Sequence, residues 1–260
     1  MNPPSPPAVP FTIILPTAYG QMLVNRHDIN QTGALFKTGV AIDHAEIAML
    51  AQVLQLLGTG LTFIDVGANF GAYTLALARF VGPRGVVHAF EPQRIIYNML
   101  AGSVALNSLT HVFCHHAAVG RSEGRVEIPQ FDYGQPLNFG SIEFTPEQRE
   151  PLHQRRQHDP QRVEYVPLTT IDRFEFPRVH LMKVDAEGME MDVLDGAMNT
   201  LRRCRPVLYL EFLKNDKAAL QQKVAALDYA VHESGMNFLC IPSELKGRIR
   251  VTATPGGPLR

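Results

Sequence analysis

Two groups of carboxylates, each set beside glycine, carry the chemistry available to this chain. In the first, Asp65, Gly67, Ala68, Asn69 and Gly71 share the stretch Phe63-Ile-Asp-Val-Gly-Ala-Asn-Phe-Gly-Ala-Tyr73, and Glu91 follows in Ala89-Phe-Glu-Pro92. An acid at the end of a second strand can accept hydrogen bonds from both hydroxyls of a ribose, which makes Glu91 the ribose candidate. In the second, Leu181-Met-Lys-Val-Asp-Ala-Glu-Gly-Met-Glu190 holds Asp185 and Glu187, and Val207-Leu-Tyr-Leu-Glu-Phe212 holds Glu211. Carboxylates there could orient or deprotonate a hydroxyl. They could instead bind a hard divalent cation through oxygen, or do no more than cap a helix and shape a turn.

The elements that must position these groups follow from local pattern. Leu61 to Val66 is a short apolar run rich in β-formers, as expected of a strand covered on both faces. Gly67 and Gly71 then permit backbone conformations, and a close ligand approach, that a Cβ would block. A helix is expected from Ala72 to Val81, stopped by Gly82-Pro83, and a second strand from Gly85 to Phe90. The acids of the second group likewise end buried strands, Val179 to Val184 and Val207 to Phe212, with one helix between them from Met189 to about Arg203. In an open α/β sheet, ligands bind beyond the carboxyl ends of the strands. Four acids crowded there would repel one another in a plain structural role, so some should meet a ligand, a cation or a proton.

The glycine spacing separates two cofactor classes. A dinucleotide fold places a pyrophosphate on the helix N-terminus and needs G-x-G-x-x-G. This chain has Gly67-Ala-Asn-Phe-Gly71, preceded by Asp65, which would repel a pyrophosphate but suits a cationic sulfonium with an amino-acid tail. The pattern favours S-adenosylmethionine over a nicotinamide dinucleotide. A protein that binds this cofactor without turnover, acting in regulation or assembly, is the alternative of a different kind.

Composition sets outer bounds. The 260 residues, 45% hydrophobic and 19% charged, suffice for one large core. A formal net charge of −1 gives no basic excess for phosphate backbones, and aromatics for base stacking are few, so a small molecule is expected rather than nucleic acid. Cys114, Cys204 and Cys240 form no C-x-x-C pair, which argues against a zinc site or a disulfide framework. With no charged n-region, long apolar h-region or 18-residue apolar run, no membrane association and a cytoplasmic location are expected.

Along the rest of the chain, residues 1–10 read as a flexible proline-rich tail and 11–260 as one domain with an N-terminal extension (11–58) and a substrate-shaping insert (about 121–165). Within the extension, Phe11 to Leu15 is an expected strand, Asn25 to Val40 a loop, and Asp43-His-Ala-Glu46 a capping box opening a helix that runs to Gly58 and covers the first core strand. Gln93 to Leu106 is a crossover helix and Val112 to His115 a third strand, after which no third crossover helix is visible. Arg125 to Pro129 and Val163 to Ile171 look like strands, and Thr145 to Arg162 is a polar insert reading as a solvated loop or a contact for an anionic substrate group. His115 and His116 are possible bases, but neighbours on a strand face opposite ways, so at most one could reach a pocket.

Phe63 to Tyr73, Ala89 to Ile96, Ala117 to Gly120, Asn138-Phe-Gly140 and Lys183 to Gly196 together resemble the FkbM-type methyltransferases, a class I S-adenosylmethionine-dependent family. The resemblance covers roughly residues 24 to 213 and is most specific over Asp185-Ala-Glu-Gly-Met-Glu-Met-Asp-Val-Leu-Asp-Gly196. It implies a Rossmann-like α/β fold with a seven-stranded, mostly parallel sheet and an antiparallel last hairpin, plausibly Tyr229 to Glu233 with Phe238 to Ile241. It further implies methylation of a hydroxyl oxygen on a sugar or similar small metabolite. Residue by residue, Asp65, Gly67, Ala68, Asn69 and Gly71 would hold the methionine end, Glu91 the ribose, Pro92 and Gln93 the turn beside it, and Ala117 or Ala118 the adenine. Asp185, Glu187 and Glu211 would act on the acceptor, with Asp185 also at the cofactor and Asn138 bonding a hydroxylated substrate. The family's Glu-Asn after the fifth strand is Glu211-Phe here, so specificity does not transfer directly. No dedicated metal site is assigned, a divalent cation on the acids staying open, as does the oligomeric state.

Overall fold

The computed structural model describes residues 9–141 and 163–249; the polar insert read at Thr145 to Arg162 lies outside them. Twelve strands and seven helices are formed by these residues. The chain opens with a hairpin, β1 (Thr12–Thr17) and β2 (Gly20–Asn25), followed by α1 (Gln31–Thr38) and α2 (His44–Leu57). Then come β3 (Thr62–Val66), α3 (Ala72–Leu77), β4 (Val86–Phe90), α4 (Arg94–Leu106) and β5 (Val112–His115). A small sheet is built from β6 (Ala118–Val119), β7 (Gly124–Pro129) and β8 (Val163–Thr169). The second half holds β9 (Leu181–Val184), α5 (Glu190–Asp195), α6 (Met198–Cys204), β10 (Val207–Glu211), α7 (Lys217–Ala225), β11 (Tyr229–Ser234) and β12 (Asn237–Pro242).

The main sheet has the order β11-β12-β10-β9-β3-β4-β5. Its five central and edge strands from β10 to β5 pair in parallel, and β12 enters antiparallel between β10 and β11. This is the expected seven-stranded sheet with an antiparallel last hairpin. The chain winds outward from β3 through β4 to β5, then returns to β9 on the other side of β3. Strand order therefore reverses between β3 and β9, and a crevice opens at their carboxyl ends. The central strands are apolar nearly throughout because both faces are covered. One layer packs α2, α3, α4 and the β1–β2 hairpin against Phe63, Val87 and Tyr209. The other sets α5, α6 and α7 against Ile64, Met182 and Leu208.

Local departures from the sequence reading have physical causes. Asn25 to Val40 is not all loop: α1 forms within it, because Asp28 Oδ2 accepts the Thr32 backbone N–H at 2.7 Å and Leu35 is buried. The capping box at Asp43 is not made, since the Asp43 carboxylate turns instead to accept a hydrogen bond from Gln31 Nε2 at 2.9 Å. The regular helix after Gly71 ends at Leu77 and reaches Gly82 through turns. The single helix expected from Met189 to Arg203 is two, broken where Gly196 meets the loop after β6; a Cβ there would lie 2.0 Å from the Gly120 carbonyl oxygen. Among the described residues between β5 and β9, the chain forms the small sheet of β6, β7 and β8.

Candidate active site

Beyond the ends of β3, β4 and β9 lies a cavity with about 550 Å³ of empty space, part of it open to solvent. Its apolar walls include Val66, Phe90, Ala117, Ala118, Val119 and Met189. Its polar groups are Asn69, Glu91, Gln93, Asp185 and Glu187, and Gly67, Pro92 and Gly140 complete the backbone rim. Most of the sequence-assigned residues thus meet at one place.

Glu91 is fixed by two backbone donors, Asn69 N–H to Oε2 at 2.9 Å and Gln93 N–H to Oε1 at 2.8 Å. Burial pushes its carboxyl up to about 7 despite these bonds. Each oxygen retains acceptor capacity for a ligand hydroxyl. The adjoining loop is made possible by residues at positive φ, Gly67 at 74° and Asn69 at 50°. Gly67 also has a packing reason to lack a side chain, because a Cβ would stand 1.7 Å from the Asp185 carbonyl oxygen. Close approach here is between two strand ends of the protein itself, joined further by Asp185 N–H to Val66 O at 3.2 Å.

Lys183, to which sequence reasoning gave no role, organises the centre. Its buried ammonium lies 3.5 Å from Asp65 Oδ1 and 3.4 Å from Asp185 Oδ2, and donates to Gly67 O at 3.1 Å. Burial works against its charge, but Asp185, Asp65 and Asp43 outweigh burial and raise its pKa. Thr74 Oγ1 donates to Asp65 Oδ2 at 2.6 Å, so Asp65 is wholly buried and occupied within the protein. The signal for Lys183 was present in the sequence: a lysine within an apolar run that must be buried on both faces needs a counter-charge.

Around the loop after β9, Glu187 takes φ 54° and forms a buried ion pair with Lys214, which also donates to Ser141 Oγ at 3.0 Å. Burial, then the nearby Asp185 charge, raises the Glu187 pKa. Glu190, also missed, accepts Ala186 N–H at 2.6 Å and Gly188 N–H at 3.1 Å and is hydrogen-bonded by Asn215. Carboxylate oxygens of Asp185, Glu190 and Glu211 lie within 4.8 Å of one another. Burial first, and then Asp185, Glu187 and Glu190, raise the Glu211 pKa.

Five assigned residues, Asp65, Ala68, Gly71, Asn138 and Glu211, are not on the lining of this cavity. Asp65 is covered by Thr74 and Lys183, and Ala68 lies in the loop after β3. Gly71 begins α3 with its bare Cα against Leu100. Asn138 closes its own turn by accepting Gly140 N–H at 3.2 Å, and Glu211 faces the carboxylate cluster rather than the cavity. Neither histidine reaches the cavity: His115 stacks on Phe90 and meets His88 Nδ1 at 3.1 Å, and His116 Nε2 contacts Pro92 O.

A parallel sheet reversing between β3 and β9, with a ribose-competent acid after β4 and acids after β9, defines a Rossmann-like methyltransferase fold of the S-adenosylmethionine-dependent class. Residues 65–235 match the model of the methyltransferase FkbM domain. The chain belongs to the FkbM methyltransferase family. It is 28% identical over 157 residues to methyltransferase sdnD of Sordaria araneosa and 30% identical over 146 residues to methyltransferase 1 of Beauveria bassiana. Each match takes in 51% of this chain, and 59% and 57% of those proteins, so the shared region spans a little over half of each relative. Among solved structures, the methyltransferase FkbM of Methylobacillus flagellatus KT aligns at a TM-score of 0.49 and 18% identity, covering 70% of this chain and 43% of that one. A tRNA (uracil-54, C5)-methyltransferase of Pyrococcus abyssi, solved with S-adenosyl-L-homocysteine, aligns at 0.44 and 14% identity over 86% of this chain and 40% of that one.

Proposed function

We propose that this chain binds S-adenosylmethionine and methylates a hydroxyl oxygen on a small metabolite or sugar. The observation that carries the reading is one cavity bounded by both Glu91 and the Asp185–Glu187 pair. The residues present suit the cofactor: Glu91 is held with free acceptor capacity for a ribose, and Phe90, Ala117, Ala118 and Met189 offer apolar surface for a purine. The bound cofactor supplies a methyl group on a positively charged sulfur.

The protein's own part is positioning and proton removal. As the acceptor oxygen takes the methyl group it would lose its hydroxyl proton, so the site needs a protein group to receive that proton. Asp185 has a side chain 34% exposed, aimed by Lys183, and is the group suited to orient the hydroxyl and take that proton. Glu187 is committed to Lys214, and Glu211 lies in the carboxylate cluster with Asp185 and Glu190, so both act on Asp185's surroundings. A formal net charge of −1 supports a small acceptor over nucleic acid. Among the described residues no helix is long and apolar enough to cross a membrane; with three free cysteines, a reducing cytoplasmic setting fits.

The test is incubation of the purified protein with methyl-labelled S-adenosylmethionine and a panel of hydroxylated sugars and small metabolites. Label in an alkali-stable ether product supports O-methylation. Labelling of nitrogen or carbon acceptors alone overturns it.

A further inference from the structure

A second cavity of about 370 Å³ lies on the other side of the Gly67–Asn69 loop. Gly67, Asn69 and Asp185 border both cavities, so the two lie against the same loop. The new wall comes from the N-terminal extension, with Gln31 and Asp43, and is closed by Tyr73 and Lys183.

We propose that this second cavity takes the amino-acid end of the cofactor, with Asp43 and Gln31 receiving its ammonium group. The inference rests on the methyltransferase reading above and extends it to residues outside the 65–235 family match. Two observations carry it. Gln31 Nε2 is spent on Asp43 Oδ2 at 2.9 Å, which leaves Gln31 Oε1 buried without a hydrogen-bond partner among the described residues. A buried acceptor left unpaired is costly, and a ligand N–H is the group that would satisfy it.

The charges lining the cavity are Asp43 and Asp185 against Lys183, a net negative wall that suits a cation. Burial, followed by the Asp185 charge, raises the Asp43 pKa, a cost that a ligand cation would offset. Lys183 is the only cation on the wall among the described residues, and Asp65, Asp185 and the Gly67 carbonyl already surround it. Tyr73 stays neutral, since burial and Asp43 drive its pKa well up. Taken together, an unpaired buried acceptor beside a carboxylate, on a wall of net negative charge, describes a receptor for an ammonium group.

The test is calorimetric titration of the full chain with S-adenosylhomocysteine and with 5′-methylthioadenosine, which keeps the nucleoside and sulfur but lacks the amino-acid end. The expected result is wild-type affinity at least about tenfold higher for the first ligand (roughly 1.4 kcal/mol). Asp43→Asn and Gln31→Leu should each remove most of that difference while leaving methylthioadenosine affinity within about twofold. Equal wild-type affinity for the two ligands overturns the proposal. So does a variant that weakens both ligands alike, or that binds S-adenosylhomocysteine normally yet fails to turn over, which would give the cavity to the acceptor. Binding of neither ligand by wild-type protein would instead sink the cofactor reading itself. Circular dichroism melts of both variants establish that the comparison is between folded proteins.

Discussion

Lys183 stands between Asp65 and Asp185, its ammonium 3.5 Å from one carboxylate and 3.4 Å from the other, while bonded to the Gly67 carbonyl. One buried cation thereby ties the end of β3 to the end of β9, where the strand order of the sheet reverses.

Removing that cation should be severe. Lys183→Met keeps most of the side-chain volume but leaves Asp65, which is fully buried, without its counter-charge. Breaking one partner of a buried ion pair costs about 3–5 kcal/mol, and urea unfolding should show a loss of that order. A loss under about 1 kcal/mol, the scale of an exposed pair, would mean that Lys183 is not the counter-charge of Asp65.

Glu91 should make stability and ligand binding respond oppositely to pH. Its pKa is raised to about 7, so its contribution to stability is complete below the ordinary carboxylate range and is lost as pH rises through 7. Wild type should lose up to about 3 kcal/mol between pH 5 and 8 relative to Glu91→Gln. Affinity for S-adenosylhomocysteine should rise across the same interval, because the ionised carboxylate is the better acceptor for two ribose hydroxyls. Denaturation curves and calorimetry at both pH values check the two slopes.

Glu211 offers a separate stability test. Its pKa is raised by burial and by Asp185, so neutral glutamine should relieve a cost that grows as pH climbs above the carboxylate range. Glu211→Gln should be more stable than wild type by on the order of 1–3 kcal/mol at pH 8 and nearly equal to it at pH 4.5. Equal stability at both would show that Glu211 is solvated.

Asp185→Asn separates chemistry from binding. If Asp185 takes the acceptor proton, turnover should fall by about 10²–10⁴-fold while S-adenosylhomocysteine affinity changes only severalfold. Loss of cofactor affinity with normal turnover per bound molecule would assign Asp185 to cofactor binding alone.

Much of the sheet was readable because its strands are buried on both faces and punctuated by glycine and acids. Phe63 to Val66, Ala89-Phe-Glu91 and Leu181 to Glu187 announced themselves in this way, and with them the cavity at Glu91 and Asp185. What stayed hidden depended on distant pairing. Asp65 and Glu91 look alike in sequence, each ending an apolar run, yet Lys183 and Thr74 enclose the first while the second keeps a face on the cavity. Asp43 reads locally as a helix cap, and only the approach of Gln31 shows that its carboxylate points into a cavity. Gly67 and Gly71 also make room for Asp185 and Leu100, a packing demand that only distant contacts reveal.

The β1–β2 hairpin lies on α4 through reciprocal hydrogen bonds between Gln21 and Asn107, and through Leu23 N–H to Ser103 Oγ at 2.8 Å. All of its residues precede position 65, where the family match begins. A fragment trimmed to the homologous stretch would strip α4 of these partners and lose Gln31 and Asp43 from the second cavity. The transplantable unit of this protein, for engineering or for grafting onto another scaffold, is therefore larger than the segment its ancestry marks out.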